Sequence, residues 1–239
     1  MKASIRLSAS LLACGAMAGA AHGDSFLNEL YNTGVDDSGA KLSTSVQTLD
    51  SHYSVSSDPA QFTSAYAVDG YDGYWNTADY GTTSSQWISP LWNGGQAGEV
   101  NNYPNNQQFY YTLSFNLTNA TNVDVKGAWM ADNGCDASGL ISQILVNGVP
   151  TGQKLEWTGD QYEPFGTWKA FELNGNYFKT GENTITFSVT NWAQSYGNPT
   201  GLRVAFASAS SGTPEPYTLV LGAAAFMTGI VRGKNRRRV

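Results

Sequence analysis

From Phe109 to Thr118 the chain reads FYYTLSFNLT, and every second side chain is apolar. Phe109, Tyr111, Leu113, Phe115 and Leu117 share one parity; Tyr110, Thr112, Ser114, Asn116 and Thr118 share the other. Successive side chains of a strand point to opposite faces. Such alternation therefore predicts one buried and one wet face, as in an antiparallel sheet. The pattern recurs where Val123, Val125, Gly127, Trp129 and Ala131 alternate with Asp124, Lys126, Ala128, Met130 and Asp132. It returns at Ile185, Phe187 and Val189 among threonines and Ser188, and again at Leu202, Val204 and Phe206. Weaker strands are expected near 53–56, 64–68, 86–91 and 168–173. Asn147-Gly148 stands between Ile144-Leu145-Val146 and Val149, and Asn-Gly accepts two successive positive φ angles, so it predicts a tight hairpin. Asn174-Gly175 predicts a second. Residues 24–212 contain no convincing amphipathic helix and no internal repeat. Eight or nine strands separated by turn signals predict an all-β fold, a single jelly roll or β-sandwich, over residues 24–207. Ser208 to Thr213, small and polar, are expected as a flexible linker.

The two ends read differently from the middle. Residues 1–23 have a basic start (Lys2, Arg6), a small-to-apolar run and a closing Ala21-His22-Gly23, the layout of a secretory signal peptide with cleavage after Gly23. Ala18 and Ala20 offer a second small pair. Cleavage at Cys14, as in a lipoprotein, would leave an apolar region broken by Ser8 and Ser10. At the other end, residues 217–231 carry no charge, and Arg232, Lys234, Arg236, Arg237 and Arg238 follow. As a helix the uncharged run would reach roughly 22 Å, short of the about 30 Å of a bilayer core, so it is a marginal transmembrane span. The basic cluster places the C-terminus in the cytoplasm and residues 24–212 outside that membrane.

Pro214-Glu215-Pro216, the short apolar helix and the arginine-rich end resemble the PEP-CTERM sorting signal of secreted proteins in Gram-negative bacteria with exosortase systems. The resemblance covers roughly the last 27 residues, counted from Thr213. Thr213 stands where Val is frequent in that signal, and Tyr217 where Ser is frequent. The resemblance implies export through the Sec translocon, transient anchoring in the inner membrane and processing by exosortase near Pro214, Glu215 and Pro216. Delivery to the cell surface or extracellular matrix would follow. The two prolines keep the motif out of the helix and extended at the membrane face.

Between the ends lie six basic and 18 acidic residues, a net charge near −12. Nucleic acid and anionic membranes need neutralising Lys and Arg, so neither is an expected partner. Neutral glycans and divalent cations remain compatible. Only 13% of the whole chain is charged while 13% is aromatic, which suits a secreted β protein and argues against disorder. Cys135 is the one cysteine of this region. No internal disulfide staples it, and the core must stabilise the fold.

A second resemblance covers about residues 120–207. The segments ADNGCDASGLISQILVNGVPTG, TGENTITFSVTNW and PTGLRVAF resemble the galactose-binding-like jelly roll, in which one strand pair carries an Asn-Gly turn and a Gly-Glu-Asn turn opens a later strand. That fold hosts binding modules, accessory domains of glycosidases and structural units alike, so the resemblance bears on fold more than on function.

Catalytic material is sparse. His52 is the one histidine of residues 24–212 and is expected on an exposed loop or strand edge. No Gly-x-Ser-x-Gly elbow surrounds a serine. Zinc spacing is absent. Glu156, Glu163 and Glu172 could supply a carboxylate pair, as any acidic domain could. A non-enzymatic protein is expected. The aromatics are better candidates. VDGYDGYWNTADYG crowds Tyr71, Tyr74, Trp75 and Tyr80 into a Gly-rich stretch, where rings can stack on sugars while Asp and Asn bond hydroxyls. Trp157, Tyr162, Phe165 and Trp168 form a second group, and Trp192 and Tyr196 a third. Trp87 and Trp129 fall on strand patterns and are expected in the core. Asp132, Asn133 and Asp136 are candidate ligands of a structural calcium ion, and Asp69 and Asp72 flank a glycine; the same residues also make ordinary turns. The leading reading is an exported, sorted surface or exopolysaccharide-matrix protein that binds glycan. The alternatives are an adhesive or structural protein without a sugar site and a secreted glycan-active enzyme.

Overall fold

The structure is a computed structural model, and it describes residues 24–58, 61–70, 73–92, 107–134, 140–156, 163–191 and 199–212. These residues belong to one compact unit, Gly23–Thr213. The signal peptide, the PEP motif, the span at 217–231 and the basic tail lie outside the described residues. So do Tyr71, Asp72, Cys135, Asp136, Trp157, Tyr162, Trp192 and Tyr196. Among the described residues no helix is long and apolar enough to cross a membrane.

Eleven strands run in order: β1 (Asp24–Ser25), β2 (Leu49–Asp58), β3 (Gln61–Val68), β4 (Trp87–Ser89), β5 (Gln107–Leu117), β6 (Asp124–Asp132), β7 (Ser142–Val146), β8 (Val149–Leu155), β9 (Lys169–Asn174), β10 (Gly181–Asn191) and β11 (Gly201–Ser211). Among the described residues the one α-helical segment is a single turn, α1 (Glu163–Gly166). All pairings are antiparallel, in the order β8-β7-β10-β5-β2-β3-β4-β11-β6-β9, with β1 on the end of β11. The path folds back on itself, as aromatic contacts across the interior show. Phe187 of β10 lies 5.5 Å from Trp129 of β6 and 6.0 Å from Phe171 of β9. The result is an all-β sandwich whose layers, β8-β7-β10-β5-β2-β3 and β4-β11-β6-β9, meet where β3 pairs with β4.

The alternating residues fill the space between the layers as their periodicity predicts. Tyr111, Leu113, Ile185, Phe187, Val189, Ile144, Val125, Trp129, Leu202 and Val204 are all buried there. Asn147 and Gly148 take φ of 51° and 79°, the two positive angles of a tight β7–β8 turn. The register of β7 and β8 then follows from the turn. Asn183, fully buried, ties that turn to the start of β10: its Oδ1 accepts from Asn147 Nδ2 at 2.8 Å and from the Lys179 N–H at 2.9 Å.

Three expectations change. Asn174-Gly175 makes no hairpin. Gly175 opens a 3₁₀ turn to Tyr177, and the chain crosses from the layer of β9 to that of β10. Residues 208–211, expected as linker, are strand: Ser208, Ala209 and Ser210 pair with Lys126, Val125 and Asp124 of β6, and Ser211 pairs with Asp24. Third, Ala128, Met130 and Asp132, expected on a wet face, are buried. The loop between β3 and β4 and the turn α1 cover them, building a second small core of Val68, Trp75, Trp87, Met130 and Phe165 on the outer side of β6 and β11.

Candidate functional site

The organising group of the second core is Arg203. Its neighbours on β11, Leu202 and Val204, point into the main core, so period two sends Arg203 to the opposite side, where it is 1% exposed. A buried guanidinium must spend its donors, and this one does. Nε donates to Ser85 Oγ at 3.0 Å, Nη1 to the Asn76 carbonyl at 2.8 Å, and Nη2 to the Ser85 carbonyl at 2.7 Å and Asp79 Oδ1 at 2.8 Å. Three residues of the β3–β4 loop are thus fastened to one side chain. Burial lowers the guanidinium pKa, and Asp79 opposes that shift. For Asp79, burial pushes the carboxyl up but is outweighed by hydrogen bonds from Lys41 and the Ser85 N–H and by the charges of Lys41 and Arg203, leaving it below the ordinary value. Lys41 Nζ lies 2.8 Å from the same Asp79 oxygen.

Beside this network is a cavity of about 200 Å³, lined by Lys41, Asp69, Thr77, Ser85, Gln86 and Arg203 over an apolar floor of Val68 and Trp87. Asp69 accepts from the Thr44 hydroxyl at 2.7 Å. Two aromatic rings stand on the same loop framework. Tyr80 and Trp168 have centroids 5.6 Å apart, Trp168 Nε1 donates to the Ala78 carbonyl at 3.2 Å, and the Arg203 guanidinium sits 5.2 Å from the Trp168 ring. The cavity therefore combines cationic and hydroxyl donors, a carboxylate and an apolar base on a loop held by buried bonds, and the Trp168 ring meets its lining through Arg203.

Of the four aromatics expected to meet a sugar, the three among the described residues separate. Tyr74 is 53% exposed and Tyr80 is half-buried, but Trp75 is 3% exposed and belongs to the second core. Its ring lies 4.4 Å from Trp87, its edge rests on Gly201, and its Nε1 donates to Asp132 Oδ2 at 2.9 Å. It cannot stack on a ligand there. Trp87 and Trp129 are buried, as their strand positions imply. Asp132 ends β6 with both carboxylate oxygens facing N–H donors, Trp75 on one and Asn133 Nδ2 on the other. Burial raises its pKa to about 7, with the Trp75 bond pulling the other way. Of the calcium candidates only Asp132 and Asn133 lie among the described residues, and among these residues no group of three or more His, Cys, Asp or Glu side chains is placed to hold a metal.

His52 is not exposed. It sits on β2, inside the first layer, with its side chain 9% exposed and its ring stacked on Tyr31 at 3.6 Å. Nε2 is 3.0 Å from Asp37 Oδ1 and Nδ1 is 3.5 Å from Asp50 Oδ1. Both nitrogens face carboxylates, so neither is placed to take a serine proton, and the Ser-His-Asp arrangement is not assembled. Asp50, buried, has its pKa raised by desolvation against the N–H bonds it accepts from Gly34, His52 and Tyr53.

Sequence reasoning missed Arg203 and Lys41. One signal was available for the first: a lone arginine inside Gly201-Leu202-Arg203-Val204-Ala205-Phe206, where a charged residue must be either wet or fully bonded. Nothing local pointed to Lys41, which reaches Asp79 from 38 residues upstream.

No family model and no curated protein matches the chain. Among solved structures it is similar to a family 35 carbohydrate binding module from Clostridium thermocellum, with 15% identity, 70% of this chain and 98% of that one covered, and a TM-score of 0.34. A CBM35 from Paenibacillus barcinonensis is similar at 15% identity, over 68% and 96% of the two chains, with a TM-score of 0.31. A β-glucosidase from Kluyveromyces marxianus is similar at 10% identity over 80% of this chain but 21% of its own, with a TM-score of 0.27. TM-scores of this size leave fold and function to be argued from the chain itself.

Proposed function

We propose that this chain is an exported, exosortase-sorted, non-enzymatic protein of the Gram-negative cell surface or extracellular matrix, and that it binds neutral glycan at the loop-end cavity. The observation that carries the binding is the cavity itself. Lys41, Asp69, Thr77 and Gln86 can exchange hydrogen bonds with sugar hydroxyls over the Val68–Trp87 floor, and Trp168, with Tyr80 against its ring, packs on Arg203 of the lining. Its two cations, Lys41 and Arg203, both pair with Asp79, and Asp69 lines the same cavity, so an uncharged ligand fits better than an anion. The carboxylates flanking His52 support a binding role over a catalytic one. Destination rests on Pro214-Glu215-Pro216 with its apolar run and basic tail, and on the signal peptide that feeds the Sec translocon.

The test is binding of the chain to a glycan array, followed by calorimetry with the best neutral hit. Lys41→Met and Tyr80→Ala are each expected to weaken that hit about tenfold, the scale of one lost hydrogen bond or stacking contact, without moving the unfolding midpoint. Silence across the array would favour an adhesive or structural protein. Turnover of a glycan that vanishes with a carboxylate variant would favour an enzyme. A structural calcium ion near Asp132, Asn133 and Asp136 belongs to the same proposal. It would have to share Asp132 with the Trp75 N–H, and it predicts a lower melting temperature in EDTA; an unchanged curve removes it.

A further inference from the structure

A second cavity, of about 380 Å³, opens on the outer face of the first layer, among residues that share nothing with the loop-end site. Its cause is a break in register. Asp50 lies opposite Ala65 of β3 and Ser54 opposite the next residue, Ser64, so Ser51, His52 and Tyr53 have no partner on β3. Bulged residues leave the ladder and redirect their side chains. Tyr53 turns inward and is buried, donating its hydroxyl to the Tyr31 carbonyl at 2.9 Å. His52 turns against the Tyr31 ring. Next to this pair the strands present hydroxyls. Ser64, Ser54, Thr112 and Thr186 are register partners in a single row across β3, β2, β5 and β10, one per strand, at the inter-strand spacing of about 4.8 Å. Ser114 also lines the cavity.

The lining is hydroxyl-rich and aromatic, and among the described residues no lysine, arginine, aspartate or glutamate is part of it. That chemistry disfavours phosphate or carboxylate ligands, which would need a cation, and it disfavours lipid, which would leave the hydroxyls without partners. Each hydroxyl can donate and accept, which matches a polyhydroxylated ligand. The row continues past the cavity to Thr186, whose Oγ1 is 2.9 Å from Thr112 Oγ1. A ligand using the whole row is therefore extended. We infer that this cleft binds the interior of a neutral polysaccharide chain, separately from any sugar taken at the loop end.

The experiment is affinity electrophoresis of the full chain, in mild detergent, through gels containing hydroxyethylcellulose, laminarin or galactomannan. At least one polymer should retard the wild type, and free glucose, galactose or mannose should not relieve the retardation. Ser64→Arg, which fills the cleft from an exposed position, and Thr112→Val, which removes one hydroxyl at nearly constant shape, should each weaken the association about tenfold. The unfolding midpoint should stay in place; should the arginine variant fail to fold, the valine variant decides. Tyr80→Ala should leave retardation intact even if it abolishes binding at the loop end. The inference is overturned if none of the polymers retards the wild type, if both cleft variants run as the wild type does, or if Tyr80→Ala alone removes the retardation.

Discussion

Arg203 and Asp132 are charged groups taken out of water by the same loop, and they differ in how they are satisfied. Arg203 gives its donors to two carbonyls, a hydroxyl and a carboxylate. Arg203→Met would keep the stem but leave the Ser85 carbonyl without its donor and the Asn76 carbonyl with the Trp87 indole N–H alone. It is expected to cost about 3 kcal/mol in urea unfolding, and a loss within error of zero would mean that the loop is held by apolar contacts alone. Asp132 accepts N–H groups and meets no cationic side chain among the described residues, and its pKa is raised to about 7. The folded state therefore retains a proton that the unfolded chain releases near the ordinary value of 3.8. Stability from this group is fullest below about pH 4 and is lost as pH rises through about 7. Asp132→Asn removes that loss. The melting temperature of the variant relative to wild type is expected to climb between about pH 4.5 and pH 8, by an amount on the order of 1–3 kcal/mol in stability. A difference constant with pH would show that the carboxyl titrates normally.

At the scale of elements, strand parity accounts for the main core and fails where a loop covers the other face. β5 alternates as written and β10 does so as far as Phe187, with outward residues Thr112 and Thr184 only partly buried. From Phe187 to Asn191 every β10 residue is buried, Ser188 and Thr190 of the expected wet face among them. β6 begins in the same way, but from Ala128 to Asp132 every residue is buried, and β11 is buried from its first residue, Gly201, to Phe206. Gly201 makes the second burial feasible: a Cβ there would stand 2.5 Å from Trp75 Cη2 and 2.7 Å from Cζ3. Gly201→Ala should push Trp75 away from Asp132 at a cost of about 1–3 kcal/mol. Protease should then cut between residues 73 and 86 sooner, while the main core keeps its near-ultraviolet signal. Gly127→Ala is the contrast. Its Cβ would meet the Ala205 carbonyl oxygen at 2.5 Å and Phe171 Cζ at 2.7 Å, inside the sandwich, so the whole transition should shift. Equal protease resistance of wild type and Gly201→Ala would separate the loop from Trp75 packing.

For the whole molecule, the sorting proposal concerns the two ends and the binding proposals concern the sandwich, and each can fail without the other. Co-expression with an exosortase is expected to shorten the wild-type chain at its C-terminus. Replacing Pro214, Glu215 and Pro216 by alanine should leave it full length in the membrane fraction, as mass spectrometry of the intact chain would read. Full-length masses for both chains, or the same C-terminal shortening in both, would end the sorting proposal. The acidic surface between the ends predicts no salt-dependent binding to DNA or anionic vesicles.

The strands themselves were legible because their cause is local. Alternation at Phe109 to Leu117 and Ile185 to Val189, and the Asn147-Gly148 turn, act through residues adjacent in the chain. From them came the all-β sandwich and the buried Trp87 and Trp129; the acidic balance came from composition. The sequence alone also suggests a destination, through residues 1–23 and 213–239. It did not reveal that Trp75 is core while Tyr80 is rim, that Asn174-Gly175 is a crossover, or that His52 lies between two carboxylates. Each of those depends on residues far apart in the chain: Trp75 on Asp132 and Gly201, Tyr80 on Trp168, His52 on Tyr31 and Asp37. Periodicity assigns a side chain to a face of its strand; only the tertiary fold decides whether that face meets water, a loop or another layer.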